Sequence, residues 1–266
     1  MKIILCLALS LASLMLDAQP INDLVPRTIQ QEKRLLQPQP VREADIFWSK
    51  RVWRVIDVRE KRNQAFMYPP APFYEVLKAA ILDGQLDAYA SEDTEFLRPL
   101  TGEALERVFM RRDTVEVFNV ETYVPELQVV REEYAYEDIK RFRIEEIWYI
   151  NSRTSTLNVR ILAVSPLRDV LNENGDYLYE LPTCRIYFPD ARKVLARATV
   201  FLDGNDHARY SWDDLFQQRR FSSYVYKDSN VRDERIQDVY SGRDALLAGD
   251  RIEAELFNFE QDLCSY

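Results

Sequence analysis

Glycine and histidine are scarce in this chain, and their scarcity excludes several kinds of site. The 266 residues include six glycines and one histidine, His207. Neither GxGxxG nor GxxxxGKS/T occurs, so the glycine-rich loops that bind nucleotide phosphates are missing. No serine lies in GxSxG, and one histidine cannot supply HExxH or another multi-histidine metal site. The sequence therefore predicts no metal site, no cofactor and no serine-hydrolase site.

Cysteine is also rare, with only Cys6, Cys184 and Cys264 in the chain. None of them forms a CxxC pair, which excludes a zinc knuckle and a dithiol redox site. In an oxidising compartment Cys184 and Cys264 could form a disulfide, whose loop of about 80 residues would add about 4 kcal/mol of stability. The alternative is two unrelated buried thiols, and the sequence leaves both open.

Long apolar runs are missing beyond the N-terminus. MKIILCLALSLASLMLDAQ carries one lysine and an apolar run of about 14 residues, too short to span about 30 Å of hydrocarbon. The run and the small residue Ala18 predict a signal peptide at residues 1–18 and export to the periplasm. Residues 19–44 are polar with four prolines, which predicts an extended tether. We expect no direct membrane insertion of the mature protein.

Acidic residues outnumber basic ones, and the balance excludes another class of partner. The chain has 44 acidic and 35 basic residues, a net charge of −9 and a pI near 4.9. Because attraction to phosphates supplies much of the affinity for nucleic acids, this charge argues against nucleic-acid binding.

The hydrophobic periodicity predicts one α+β domain over residues 45–266, with an antiparallel sheet flanked by helices. We expect a helical N-terminal part at 45–112, a strand-rich middle at 113–188 and a helical C-terminal part at 189–266. In residues 46–59 the apolar positions Trp48, Val52, Val55 and Ile56 follow helical spacing, although alternation at the end leaves a strand open.

Several individual elements can be predicted within these parts. The indicated elements are a helix along Phe73, Val76, Leu77, Ala80 and Ile81 that ends at Gly84, a short helix after Thr101, a hairpin of strands Arg141–Ile150 and Leu157–Val164, a helix capped by Ser211 and Asp214, and a final helix through Ile252, Leu256, Phe259 and Leu263.

Paired acids are the one enzymatic option that the composition leaves. They occur at Glu132/Glu133, Glu145/Glu146 and Asp213/Asp214. A glycosidase needs two carboxylates that face each other across a cleft, but neighbours on a strand point to opposite faces. Asp203, Asn205 and Asp206 lack the twelfth-position glutamate of an EF-hand. These pairs predict a solvated acidic surface and no catalytic site.

Two segments combine basic and aromatic residues: FWSKRVWRVIDVREKRN (47–63) and WDDLFQQRRFSSYVYKDSN (212–230). One interpretation places Trp48, Val52 and Ile56 in the core with the arginines solvated. The other makes the segments protein interfaces, since Trp and Arg are enriched at binding hot spots, and allows head-to-tail assembly on the acidic surface of another copy. The candidate interface residues are Arg51, Trp53, Arg54, Arg59, Lys61, Trp212, Arg219, Phe221, Tyr224 and Lys227.

Both segments, together with FPDAR (188–192), Asn205-Asp206 and ELFNFEQDLCSY (255–266), resemble the GldN/PorN family of the Bacteroidetes gliding and type IX secretion machinery. The resemblance runs in order from about Asp45 to Tyr266. It departs from the family pattern at Cys264, where a tryptophan is expected.

The resemblance implies a non-enzymatic periplasmic subunit at the inner side of the outer membrane. Its expected partners are an outer-membrane lipoprotein of the GldK/PorK type, with which it forms a large ring, and the periplasmic GldM/PorM-like domain of the GldL/GldM motor. Two alternatives remain: a periplasmic carboxylate-dependent hydrolase, and a monomeric binding or chaperone module for exported cargo.

Overall fold

A computed structural model describes residues 35–118, 125–172, 176–204 and 210–264. The strands are β1 (Ile46–Asp57), β2 (Ala88–Tyr89), β3 (Met110–Phe118), β4 (Pro125–Glu133), β5 (Ile139–Asn151), β6 (Thr156–Leu171), β7 (Tyr177–Pro182), β8 (Arg185–Tyr187) and β9 (Tyr224–Asp228). The α-helices are α1 (Phe73–Leu82), α2 (Glu103–Phe109), α3 (Phe188–Leu195), α4 (Trp212–Gln217), α5 (Ile236–Val239) and α6 (Gly242–Cys264).

Several predictions fall outside the described residues. These are the signal peptide at 1–18, most of the tether at 19–44, His207 and the Asn205-Asp206 motif.

An antiparallel sheet of seven strands organises the fold. Its order is β2-β8-β6-β5-β1-β9, and β7 pairs with the far end of β6. Strands β3 and β4 form a separate two-stranded ribbon, in which Met110 is opposite Glu133 and Phe118 is opposite Pro125. With helices flanking the sheet, the predicted α+β class is confirmed.

The prediction of helix in residues 46–59 is wrong, because Ile46–Asp57 is a strand between β5 and β9. Its second half is covered on both faces, so the consecutive residues Arg54, Val55 and Ile56 are all buried. Burial on both faces brings apolar residues three and four apart by coincidence, which imitates a helical stripe. The part at 45–112 that was expected to be helical is therefore mixed.

The central hairpin is confirmed. Strands β5 and β6 pair from Ile139 opposite Arg168 to Asn151 opposite Thr156, around the predicted turn. Both strands are longer than predicted, and a register shift separates Glu145 from Glu146. After Pro189 the chain is helical as expected except for β9, which lies in the second basic-aromatic segment and closes one edge of the sheet.

Two of the three predicted helix ends are where the local signals place them. Gly84 has φ of +69° after α1, and the N–H groups of Gly84 and Gln85 donate to the carbonyls of Ile81 and Ala80. Ser211 and Asp214 form the predicted capping box of α4. Helix α2 is capped by Gly102 and not by Thr101, since Gly102 has φ of +56°, a conformation that favours glycine.

The main core lies on one face of the sheet, beneath α1, α3 and α4. Phe66, Phe73, Phe142, Trp212 and Phe216 form its centre, with ring centroids of Trp212 and Phe73 4.6 Å apart. On the same face of β1, Val52 packs with Ile252 and Leu256 of α6. A smaller cluster of Val55, Leu167 and Tyr226 lies on the opposite face.

Asn63 connects the two basic-aromatic segments (47–63 and 212–230) by hydrogen bonds. The fully buried Asn63 side chain donates from Nδ2 to the Asp57 and Ser222 carbonyls, each at 2.8 Å. Its Oδ1 accepts from the Ser222 N–H at 2.8 Å. The chain that follows β1 is thereby fixed to the chain that leads into β9.

We predict that Asn63→Ala lowers the free energy of unfolding by about 2–3 kcal/mol, because buried backbone groups lose their partners. Urea titration followed by circular dichroism measures the effect. The control is Gln64→Ala at the neighbouring exposed residue, which should change stability by less than about 0.5 kcal/mol. Equal effects of the two substitutions would contradict this role of Asn63.

Candidate functional site

Three of the ten candidate interface residues are buried, and a surface role for them is wrong. Trp212 is 0% exposed in the aromatic core, and Phe221 at 6% packs in the same cluster. Arg54 is 4% exposed because β1 passes under α6. Their aromatic and basic character serves the interior of this chain.

Arg54 holds helix α6 against the sheet. Its Nη2 donates to both carboxylate oxygens of Glu253 at 3.0 and 3.1 Å. Nε donates to the Ser223 hydroxyl at 2.9 Å, and Nη2 also reaches the Ser223 carbonyl. A buried guanidinium with this many acceptors is satisfied, so Arg54 is a structural residue.

Arg219 neutralises a carboxylate that has no contact with solvent. Glu146 is 0% exposed, and Arg219 donates to its two oxygens at 2.7 and 3.2 Å. Trp148 Nε1 adds a third hydrogen bond at 3.0 Å, and the guanidinium lies over the Trp148 ring. Arg219 is therefore a partner of the sheet and not a free surface cation.

We predict that Arg219→Ala destabilises the fold by about 3 kcal/mol, because Glu146 is left as a buried charge without its counter-ion. Adding Glu146→Gln should recover part of the loss, since a neutral amide costs less to bury. Guanidinium titrations of the single and double variants measure this coupling. Arg220→Ala, at an exposed neighbour, is the control; strictly additive effects of Arg219→Ala and Glu146→Gln would refute the prediction.

The remaining candidates lie in two places. Arg59 and Lys61 are exposed just after β1. Burial raises the pKa of Asp57, but the hydrogen bonds from Arg59 outweigh it and hold that pKa below its usual value.

The second group of candidates comprises Arg51, Trp53, Tyr224 and Lys227. They lie on or beside the sheet face opposite the main core.

A cavity of about 200 Å³ opens on that opposite face, and we call it the arginine cavity. Its basic lining residues are Arg51, Arg143, Arg185, Lys227 and Arg235. The lining also includes Glu145, Trp53, Tyr226 and Pro182. The sheet places them together because Trp53 is opposite Glu145 on β5 and opposite Lys227 on β9. Five basic side chains thus surround a single carboxylate, on a chain that is acidic overall.

Glu145 is engaged by two of these cations. It accepts a hydrogen bond from Arg51 at 3.1 Å and pairs with Arg185, and both Glu145 and Arg185 are buried. Lys227 pairs with Asp233 at 2.5 Å and lies over the Trp53 ring. The basic side chains on this side of the cavity therefore all have ion-pair partners.

Arg143 and Arg235 form the other side, around the ring of Tyr226. The guanidinium carbon of Arg143 is 4.5 Å from the ring centroid, and that of Arg235 is 5.7 Å away. Arg143 Nε is buried without a hydrogen-bond partner. Burial lowers the pKa of Arg143 below its usual value, and Arg235 lowers it further.

The paired acids do not form a catalytic dyad. Glu145 and Glu146 serve opposite faces of β5, where each has its own arginine. Asp213 accepts two hydrogen bonds from the buried Arg192, and Asp214 caps α4. Across the described parts of the chain, no group of three or more His, Cys, Asp or Glu side chains is arranged to hold a metal ion.

Sequence reasoning missed Arg143, Glu145, Arg185, Tyr226 and Arg235 as parts of one site. A signal was present in β5, where RFRIEE places Arg141, Arg143 and Glu145 on one face at a period of two. Arg185 and Arg235 come from separate elements, and no local pattern joins them to β5.

Cys184 carries a free thiol in the structure, so the candidate disulfide with Cys264 is not formed there. The side chain of Cys264 lies outside the described residues. Cys184 is 1% exposed within the main core, and burial raises the pKa of its thiol to about 12. The thiolate, which is the reactive form, is therefore strongly disfavoured.

We predict that Cys184 resists alkylation by iodoacetamide in the folded protein near pH 8, at a rate at least about 100-fold below that in denaturant. Mass spectrometry of a Cys264→Ser variant that begins at Gln19 measures the rate at Cys184 alone. Fast labelling of the folded protein, or a disulfide-linked Cys184–Cys264 peptide from the unsubstituted chain, would overturn this assignment.

Among the described residues, no helix combines the length and the apolar character needed to cross a membrane. A comparison with curated proteins found no match to this chain. Residues 41–265 match the family model described as gliding motility associated protein GldN, a stretch that includes the whole sheet and the arginine cavity. Because this match covers most of the sequence, the chain belongs to the GldN family, whose members are components of the gliding-motility and type IX secretion machinery.

Proposed function

We propose that the chain is a periplasmic, non-enzymatic subunit that forms a ring with an outer-membrane lipoprotein of the GldK/PorK type. In this proposal the ring is the part of the machinery that the GldL/GldM-like motor engages, through the periplasmic GldM/PorM-like domain. The observation that carries the proposal is the family match over residues 41–265.

The distribution of charged groups supports a structural role. The most buried acids are Glu145, Glu146 and Asp213, and each is held by arginine in an ion pair. Carboxylates paired in this way hold elements of the fold in register, whereas a hydrolase needs two carboxylates that face a substrate.

Exposed apolar residues support assembly with other proteins. In β7, Tyr177, Leu178 and Tyr179 are each more than half exposed. Strand β7 pairs with β6 along one edge, and no other described strand pairs with it. An edge strand with exposed apolar residues suits contact with another protein chain.

Helix α6 adds further exposed apolar side chains. Leu246 and Phe257 are 57% and 58% exposed, although Leu256 on the same helix is buried against the sheet. Exposed apolar side chains among the charged residues of this helix suit contacts with a neighbouring protein.

We predict that the tagged chain, captured from native envelopes under mild detergent, elutes in an assembly far larger than its own 31.4 kDa. An outer-membrane lipoprotein should be present in stoichiometric amount. Size-exclusion chromatography with light scattering and mass spectrometry measures both properties. Recovery of a lone monomer would refute the ring, and co-purification of unfolded exported clients would favour the chaperone alternative.

A charge reversal locates the interface within this experiment. Lys61→Glu changes an exposed candidate residue, and Lys193→Glu changes an exposed lysine on α3 as the matched control. We expect Lys61→Glu to reduce the large assembly and Lys193→Glu to leave it intact. If both variants assemble fully, the chain after β1 is not part of the interface.

A further inference from the structure

The arginine cavity has more positive charge than its own carboxylate can balance. Glu145 is shared between Arg51 and Arg185, and the partner of Lys227 is Asp233, whose side chain is 82% exposed. Among the residues that the structure describes, no carboxylate forms an ion pair with Arg143 or Arg235. The carboxylate of Glu180 acts on the charge of Arg143 but forms its ion pair with Arg141. Two cations therefore line the cavity without an ion-pair partner among the described residues.

Both cations lie against one aromatic ring. Arg143 extends from the centre of the sheet, and its guanidinium stacks on Tyr226, which packs with Val55 and Leu167. Arg235 approaches the same ring from the loop after β9. A guanidinium stacked on an aromatic ring loses little further freedom on binding, and its planar edge matches a carboxylate.

The size of the cavity limits what can enter it. Its volume of about 200 Å³ is below the roughly 300–1,000 Å³ of pockets that take cofactors or drug-sized ligands. A single acidic side chain meets this limit.

The apolar part of the lining favours a protein ligand over a free anion. Trp53 and Pro182 lie beside the charged groups and offer surface for the methylene groups of a glutamate. An inorganic anion would use the arginines and leave these surfaces without contacts. The existing Glu145–Arg185 pair shows that the cavity already accommodates a carboxylate.

We propose that the arginine cavity binds an acidic segment of a partner protein, by inserting one of its glutamate or aspartate side chains between Arg143 and Arg235. The carboxylate takes hydrogen bonds from both guanidinium groups. Its stem lies against Trp53 and Pro182.

The test uses fluorescein-labelled hexaglutamate as the probe and hexaglutamine as its uncharged match. Fluorescence anisotropy at low salt follows their binding to the chain that begins at Gln19. We expect hexaglutamate to bind and hexaglutamine to bind at least tenfold more weakly. Arg143→Met and Arg235→Gln should each weaken hexaglutamate binding at least fivefold.

Arg232→Gln is the matched control, since Arg232 is exposed in the same loop as Arg235 but does not line the cavity. It should change the affinity less than twofold. Circular dichroism verifies that each variant is folded. Because Arg235 is exposed, its substitution remains informative if Arg143→Met does not fold.

Three outcomes would overturn the proposal. The first is no binding of hexaglutamate, and the second is an equal effect of Arg235→Gln and Arg232→Gln, which indicates attraction to general surface charge. The third is displacement of hexaglutamate by equimolar inorganic phosphate, which would make the cavity a site for a free anion. Self-association of the chain that blocks hexaglutamate binding would support the proposal and identify a second copy as the source of the acidic segment.

The inference does not depend on the proposed ring. Anisotropy measures the cavity of the isolated chain, whereas capture from envelopes measures assembly. If the chain binds hexaglutamate but elutes from envelopes as a monomer, the proposed role of the cavity stands and the proposed ring is refuted.

Discussion

The pairing of β1 between β5 and β9 is the constraint on which the rest of the structure depends. Val55 lies opposite Arg143 on one side and opposite Tyr224 on the other, so three distant parts of the chain meet along one strand. Because side chains alternate along a strand, this pairing assigns Val52, Arg54 and Ile56 to the helices and Arg51 and Trp53 to the cavity. A slip of one residue would exchange the two sets and bury Trp53 in place of Arg54.

Ion pairs that each contain one buried charge stabilise that register over its alternatives. Arg54 has its carboxylate on α6, and Glu146 has its guanidinium in the chain after α4. Such pairs add little net stability compared with apolar residues, but separating them leaves a charge in the core at a large cost. Alternative registers are therefore penalised more than the native one is stabilised. The need to neutralise charges within the sheet therefore explains the basic residues Arg54 and Arg219 of the two basic-aromatic segments.

The sheet also separates two tasks. One face carries the aromatic core and its helices, which give the domain its rigidity. The other face carries a small apolar cluster and the arginine cavity, where Arg143 and Arg235 form no ion pair with a described carboxylate. A rigid support behind an incompletely neutralised cavity suits recognition of another protein, because the arginines are held in position before a partner arrives.

The sequence by itself determined the local elements and the family. The hairpin of β5 and β6, the glycine end of α1 and the capping box at Ser211 depend on residues close together in the chain, so they could be predicted. The tertiary structure alone decided that residues 46–57 form a strand, that Trp212 and Arg54 are buried, and that Arg143 and Arg235 share a cavity. Periodicity describes one segment at a time, whereas burial on both faces and charge pairing arise between segments that are distant in sequence.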